Sequence, residues 1–224
     1  MSRRSPKELA VRVILLLVGL CIAHLGVTLF LQSALGSDPF NVFIQGLYRG
    51  LPWSAWSFMT HGRVHLLVSL LIMLVLLVVD RHYVGIGTIL CMALGGPIID
   101  VYTLWLSPVI NESLPLAARV GLLVAGCVIL AFGMTIVIRS EAGTGPNDLV
   151  AVVLSDKWKK PFGPVRIGVD LTFALVGLAL GGTLGVGTVI CAFLVGPAAQ
   201  LFFPVSQKLC NFALDHFAGV RSQA

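Results

Sequence analysis

Arg12-VILLLVGLCIAHLGVTLFLQSALGSDPFN-Val42 and Arg119-VGLLVAGCVILAFGMTIVIRSEAGTGPND-Leu149 carry one pattern twice. A slide of 107 positions lays the first on the second without a gap. It pairs Arg12 with Arg119, Val13 with Val120, Gly19 with Gly126, Gly26 with Gly133, Thr28 with Thr135, Ser33 with Ser140, Gly36 with Gly143 and Pro39 with Pro146. Matches at Gly, Pro, Ser and Thr, and not only at Leu and Val, separate a repeat from two helices that are alike in composition.

A second block follows after seven residues are lost from the intervening loops: Gly85-IGTILCMALGG-Pro97 lies on Gly185-VGTVICAFLVG-Pro197 with seven identities in thirteen positions. Working outward, apolar runs long enough to cross a hydrocarbon core of about 30 Å fall near residues 11–35, 64–79, 84–106, 118–138, 165–182 and 185–205. The expected fold is an all-α polytopic membrane protein of about six transmembrane helices. It forms a single membrane domain over residues 1–224, with repeat 1 at about 12–106 and repeat 2 at about 119–205. Three spans per repeat is an odd number, so the second repeat enters from the opposite side, giving a 3+3 inverted topology.

Composition agrees. Of 224 residues 57% are hydrophobic and 11% charged, against roughly 25% charged in soluble domains. The net charge of +5 is no nucleic-acid stripe, because the basic residues are divided among loops without interleaved aromatics. Their distribution sets topology instead. With a cytoplasmic N-terminus, the inner segments hold Arg3, Arg4, Lys7, Arg12, Arg81, Arg139, Lys157, Lys159, Lys160, Arg166, Lys208 and Arg221, while only Arg49, Arg63 and Arg119 lie outside. That bias places both termini in the cytoplasm. A cleaved signal is not expected: no small-residue cleavage site follows the first apolar run, and the same run recurs at 119–140. Tyr48, Trp53, Trp56, Trp105 and Trp158 read as interfacial anchors. Cys21, Cys91, Cys127, Cys191 and Cys210 lie in or beside apolar stretches without metal spacing, so they read as small packing residues and no cofactor or metal is expected.

Each first helix ends in the same break, Ser33-ALGSDPF-Asn41 and Ser140-EAGTGPN-Asp148. Glycine permits the turn, Asp38 or Gly145 can cap, and proline at the first helical position opens a new short helix. A half-helix is therefore expected after each break. Its N-terminus either dips inward, offering free amides and a dipole to a solute, or merely caps an interfacial helix. If both dip, Asp38 and Asn41 of one half and Asn147 and Asp148 of the other face one central site. Asp170 lies at membrane depth with Arg166 four residues before it, either as a structural ion pair or at a wet cavity. Asp100 and Gln200 follow Gly-Pro pairs at corresponding places, where they repair a freed carbonyl or line a passage. His24 and Thr28, one turn apart, read as helix-packing groups, as do Gly19, Gly26, Gly126 and Gly133.

The paired Ser-x-x-Gly-x-x-Pro breaks, with Gly-x-Gly-Thr and Gly-Pro in the third helix of each half, resemble the YczE/YitT-like family of bacterial integral membrane proteins. The similarity runs from about Arg12 to Pro204, and departs where an aromatic follows the first proline at Phe40 but not at Asn147. It implies a bacterial cytoplasmic-membrane protein and names no substrate. No nucleophile elbow, phosphate loop, paired-carboxylate or zinc motif is present, so an enzyme is not expected. The expected function is a small-molecule permease in a lipid bilayer. A non-catalytic accessory or regulatory membrane protein is the alternative, and a lipid-acting enzyme comes last.

Overall fold

The computed structural model describes residues 5–36, 38–51, 61–80, 83–110 and 114–219. Among them every regular element is helical: α1 Pro6–Gln32, α2 Pro39–Gly50, α3 His61–Asp80, α4 Ile86–Leu106, α5 Leu116–Arg139, α6 Pro146–Trp158, α7 Phe162–Ala179 and α8 Val186–Ala213, closed by a π-helical turn at Leu214–Ala218. Five of these, α1, α4, α5, α7 and α8, are long and apolar enough to cross a membrane. The sixth expected span falls on α3, whose apolar run, Arg63–Val79, is shorter. Trp53, Trp56, Arg3, Arg4, Arg81 and Arg221 lie outside the described residues.

Two helices, α1 and α5, form the spine. Gly19 packs on Gly133 and Gly26 on Gly126, so the pair runs antiparallel. A Cβ on Gly19 would sit 2.9 Å from the Gly133 carbonyl oxygen, and one on Gly126 would sit 2.7 Å from that of Gly26. Small residues are what let backbones in a bilayer approach this closely. Helix α4 lies on α1, and α8 lies on α5. The last helix outruns the expected end at 205: Ser206, Gln207 and Lys208 end the apolar run but not the helix. Tertiary contact carries it on, with Ser206 Oγ 2.6 Å from Thr135 Oγ1 and Cys210 packed with Leu15 and Ile136.

Residues 107 apart adopt the same breaks. Ser33 Oγ donates to the Phe30 carbonyl (2.6 Å) and Ser140 Oγ to that of Val137 (2.7 Å). Ala34 and Glu141 follow at φ +51° and +52°, then Gly36 and Gly143 at +147° and +132°. The last two values explain the glycines. A side chain at Gly36 would be strained and would also meet Thr188 Oγ1 at 2.8 Å. Each exposed helix end is then capped by an arginine of the other half: Arg12 Nη1 donates to the Ser140 carbonyl (3.0 Å), and Arg119 donates to those of Ser33 (2.7 Å) and Ala34 (2.8 Å).

The Gly-x-Gly-Thr motif has its reason here as well. Gly87 N donates to the Ala142 carbonyl (2.8 Å) and Gly187 N to that of Leu35 (2.9 Å), so α4 and α8 each start against the other half's break. Thr88 and Thr188 turn back to accept from the Gly85 and Gly185 amides at 3.4 and 3.3 Å. Gly85 is required because its Cβ would lie 2.6 Å from the Ala142 oxygen.

Candidate functional site

The half-helices α2 and α6 are both present, with Asp38 and Gly145 as N-caps and proline at the first position of each. Together with α3 and α7 they close a ring in which α2 packs on α3 and α7, and α6 packs on the same two helices. Their direction decides what the ring encloses. Along α2, Phe40 meets Phe173 at 5.2 Å between ring centroids, Gly46 touches Gly177, and Gly50 meets Leu180 just past the end of α7. The N-terminus of α2 therefore sits deeper in the bundle than its C-terminus. On the other side a tight turn with Lys159 in the left-handed conformation (φ +52°) folds α6 back along α7. The N-terminus of α6 thus reaches α7 where Asp148 bonds Arg166.

The chemistry follows from this convergence. Arg166 Nη1 donates to Asp148 Oδ1 at 2.6 Å and Arg166 Nε to Asp170 Oδ2 at 2.9 Å, so one guanidinium bridges two carboxylates on two helices. The side chains of Arg166, Asp170 and Asp148 are 9%, 2% and 21% exposed, so the Asp148 arm is the wetter one. From the first half, Phe40, two residues after Asp38, packs on Phe173, three residues past Asp170 on α7. Asp38 accepts from Asn41 N (3.1 Å) and Asn41 Nδ2 (2.6 Å), closing the start of α2. Asn147 Nδ2 donates to Asp148 Oδ1 (3.1 Å). Asp38, Asn41, Asn147, Asp148, Arg166 and Asp170 are therefore brought to one region. Two carboxylates share one guanidinium there, a charge excess that low dielectric makes costly unless a proton or a bound cation offsets it.

Gln200 and Asp100 sit elsewhere. Gln200 Oε1 accepts from Gly163 N (2.7 Å), tying α8 to the first turn of α7. Asp100 stands on the exposed side of α4. His24 Nδ1 lies 2.8 Å from the Leu20 carbonyl, and its ring packs on Gly95. Thr28 bonds its own helix at His24 O (2.8 Å).

Two residues of this region escape a reading that stops at two repeat blocks. A third register, offset by 101, lays Gly62-RVHLLVS-Leu70 on Gly163-PVRIGVD-Leu171 and pairs His65 with Arg166 and Ser69 with Asp170. His65 stands edge-on to Phe40 at 5.3 Å, and Ser69 is buried. The first half thus presents an imidazole and a hydroxyl where the second presents an ion pair.

A cleft of about 1370 Å³ opens at the end of the bundle that holds the N-terminus of α1. Glu8, Tyr83, Arg139, Thr144, Gln200 and Gln207 line it. Arg139 lies over the Phe203 ring at 4.8 Å. Two buried atoms of these residues, Arg139 Nε and Thr144 Oγ1, have no hydrogen-bond partner among the described residues. At the opposite end α2 lies on α7 in glycine contact, and Thr183 bonds Gln45 Oε1 through both its amide and its hydroxyl (2.7 Å each).

A family of unknown function, DUF6198, matches residues 10–204. The chain is 29% identical over 217 residues to the uncharacterized membrane protein YczE of Bacillus subtilis, covering 93% of each. It is 27% identical over 199 residues to an uncharacterized protein of Haemophilus influenzae, covering 87% of this chain and 84% of that one. With the uncharacterized protein YyaS of Bacillus subtilis it shares 24% over 197 residues, 85% of this chain and 92% of that one. No solved structure matches.

Proposed function

Because the chain belongs to the DUF6198 family of unknown function, with a membrane protein among its relatives, we propose that it is a small-molecule permease of the bacterial inner membrane. In this reading it spans six times, with α3 as the sixth span, both termini are cytoplasmic, and its halves are inverted repeats. It carries no catalytic centre or resident cofactor. Support for inversion comes from the antiparallel packing of α1 on α5, since those helices carry the matching sequence.

The observation that carries the permease reading is that both half-helices start on α7, α6 with Asp148 on Arg166 and α2 with Phe40 on Phe173, three residues past Asp170. Inverted repeats supply two arrangements of similar energy around such a centre, which is the basis of alternating access. The cleft at the α1 N-terminal end and the glycine contact at the other end fit the inward-open arrangement. The solute sits between the half-helix N-termini, met by Asp38, Asn41, Asn147 and Asp148, with Asp170 and Arg166 behind. The accessory alternative draws on one fact: Arg166 is already satisfied by two carboxylates, as a purely structural network would be.

The test is a solute-uptake screen in a deletion strain, followed by Asp38→Asn and Asp148→Asn. Both variants should reach the membrane and lose uptake of the same solute. Wild-type uptake in either one removes the shared centre and leaves the accessory role.

A further inference from the structure

A crevice of about 580 Å³ runs between α6 and α7 and shares no lining residue with the cleft. Val150 and Leu154 of α6 and Val165, Val169 and Phe173 of α7 form its apolar walls. Gly168 opens its floor, since a Cβ there would meet nothing within 4 Å. Lys160 and Trp158 frame one end. Lys157 and Lys159 stand beside them, and all four residues are exposed. The neighbouring acid, Asp156, is engaged by the Tyr83 hydroxyl at 3.0 Å. From Pro161 to Phe173, α7 rises about 18 Å at 1.5 Å per residue. That is slightly more than one leaflet of a hydrocarbon core of about 30 Å.

An apolar slot one leaflet deep, open at Gly168 and mouthed by Lys160 and Trp158 with the exposed Lys157 and Lys159 adjoining them, has the dimensions and charge of a lipid site. We propose that it holds one acyl chain of an anionic phospholipid, with the phosphate among Lys157, Lys159 and Lys160. The chain's end would reach Phe173, which also packs on Phe40 and Phe43. The lipid thereby wedges α6, which carries Asp148, against α7, which carries Arg166. This assignment needs only the membrane location and does not depend on any transported solute.

The test is native mass spectrometry of the full chain, purified in detergent with equimolar phosphatidylglycerol and phosphatidylcholine. Wild type should retain one phosphatidylglycerol per chain with a preference on the order of tenfold, in line with the pull of clustered lysines on anionic lipid. The triple variant Lys157→Gln, Lys159→Gln, Lys160→Gln should lose the preference. Gly168→Leu, which fills open space and leaves the lysines intact, should lose the retained lipid. Equal retention of both lipids by wild type would overturn the site. So would undiminished retention by Gly168→Leu, which would mean a surface-charge effect without the crevice. A lipid-free dimer would assign the slot to a second copy of the chain and overturn it equally.

Discussion

Arg166→Met removes the guanidinium that bridges Asp148 and Asp170 and leaves the methylene stem in place. Two charge-assisted bonds are lost, of 2.6 and 2.9 Å. The consequences for the two acids differ. Asp148, 21% exposed, can turn to water, whereas Asp170, 2% exposed, stays as an unpaired buried carboxylate. Breaking a buried pair from one side costs about 3–5 kcal/mol. For chains of this length each kcal/mol moves the midpoint by roughly 2–4 °C, so the variant should melt about 6–20 °C below wild type. The assay is thermal unfolding of purified protein in a single detergent. Arg166→Met with Asp170→Leu removes the orphaned charge together with its partner and should recover most of the loss, because buried pairs are often replaceable by apolar residues at little cost. In the permease reading the double variant stays inactive. A single variant within about 2 °C of wild type, or a double variant no more stable than the single, would refute the buried-bridge argument.

Single cysteines in a cysteine-free background should report the topology to an impermeant maleimide: Trp158→Cys silent from outside intact cells and reactive once the membrane is opened. Labelling of position 158 from outside would reverse the assignment. Gly46→Val should drive a side chain into the Gly177 carbonyl and lower stability by about 1–3 kcal/mol. The control Gly121→Val, where a Cβ meets nothing within 4 Å, should change stability by less than about 0.5 kcal/mol. Equal melting of both would place α2 differently on α7.

Local chemistry was legible and distant partners were not. Ser33, Gly36 and Pro39 state the break almost completely, because a hydroxyl bond to the preceding turn, a positive φ and a helix-opening ring are all decided within a few residues. The Arg166–Asp170 pair follows from spacing on one helix. Asp148 as the second acid on Arg166 does not, because that contact depends on how α6 folds back along α7. In the same way Gly85 and Gly87 show as a motif in the sequence, but their partner, the Ala142 carbonyl, lies in the other half of the chain. The sixth span reads differently in sequence and structure for a simpler reason: α3 is helical over His61–Asp80, yet its apolar run is shorter than a full crossing.

The reciprocal latches have a consequence for biosynthesis. Leu35 leaves the ribosome early, but the amide that bonds its carbonyl belongs to Gly187. Arg119, whose guanidinium covers Ser33 and Ala34 beside it, is also made long after them. At about 5–20 residues per second, the 152 residues from Gly36 through Gly187 take roughly 8–30 s to translate. Throughout that interval the Leu35 carbonyl, just past the end of α1, must be held by water, headgroups or the insertion machinery, since lipid offers it nothing. Until then the first half lacks the partners that satisfy the end of α1 in the finished fold. Slowing translation downstream of α4 should raise turnover of the nascent chain without altering a single contact of the finished protein.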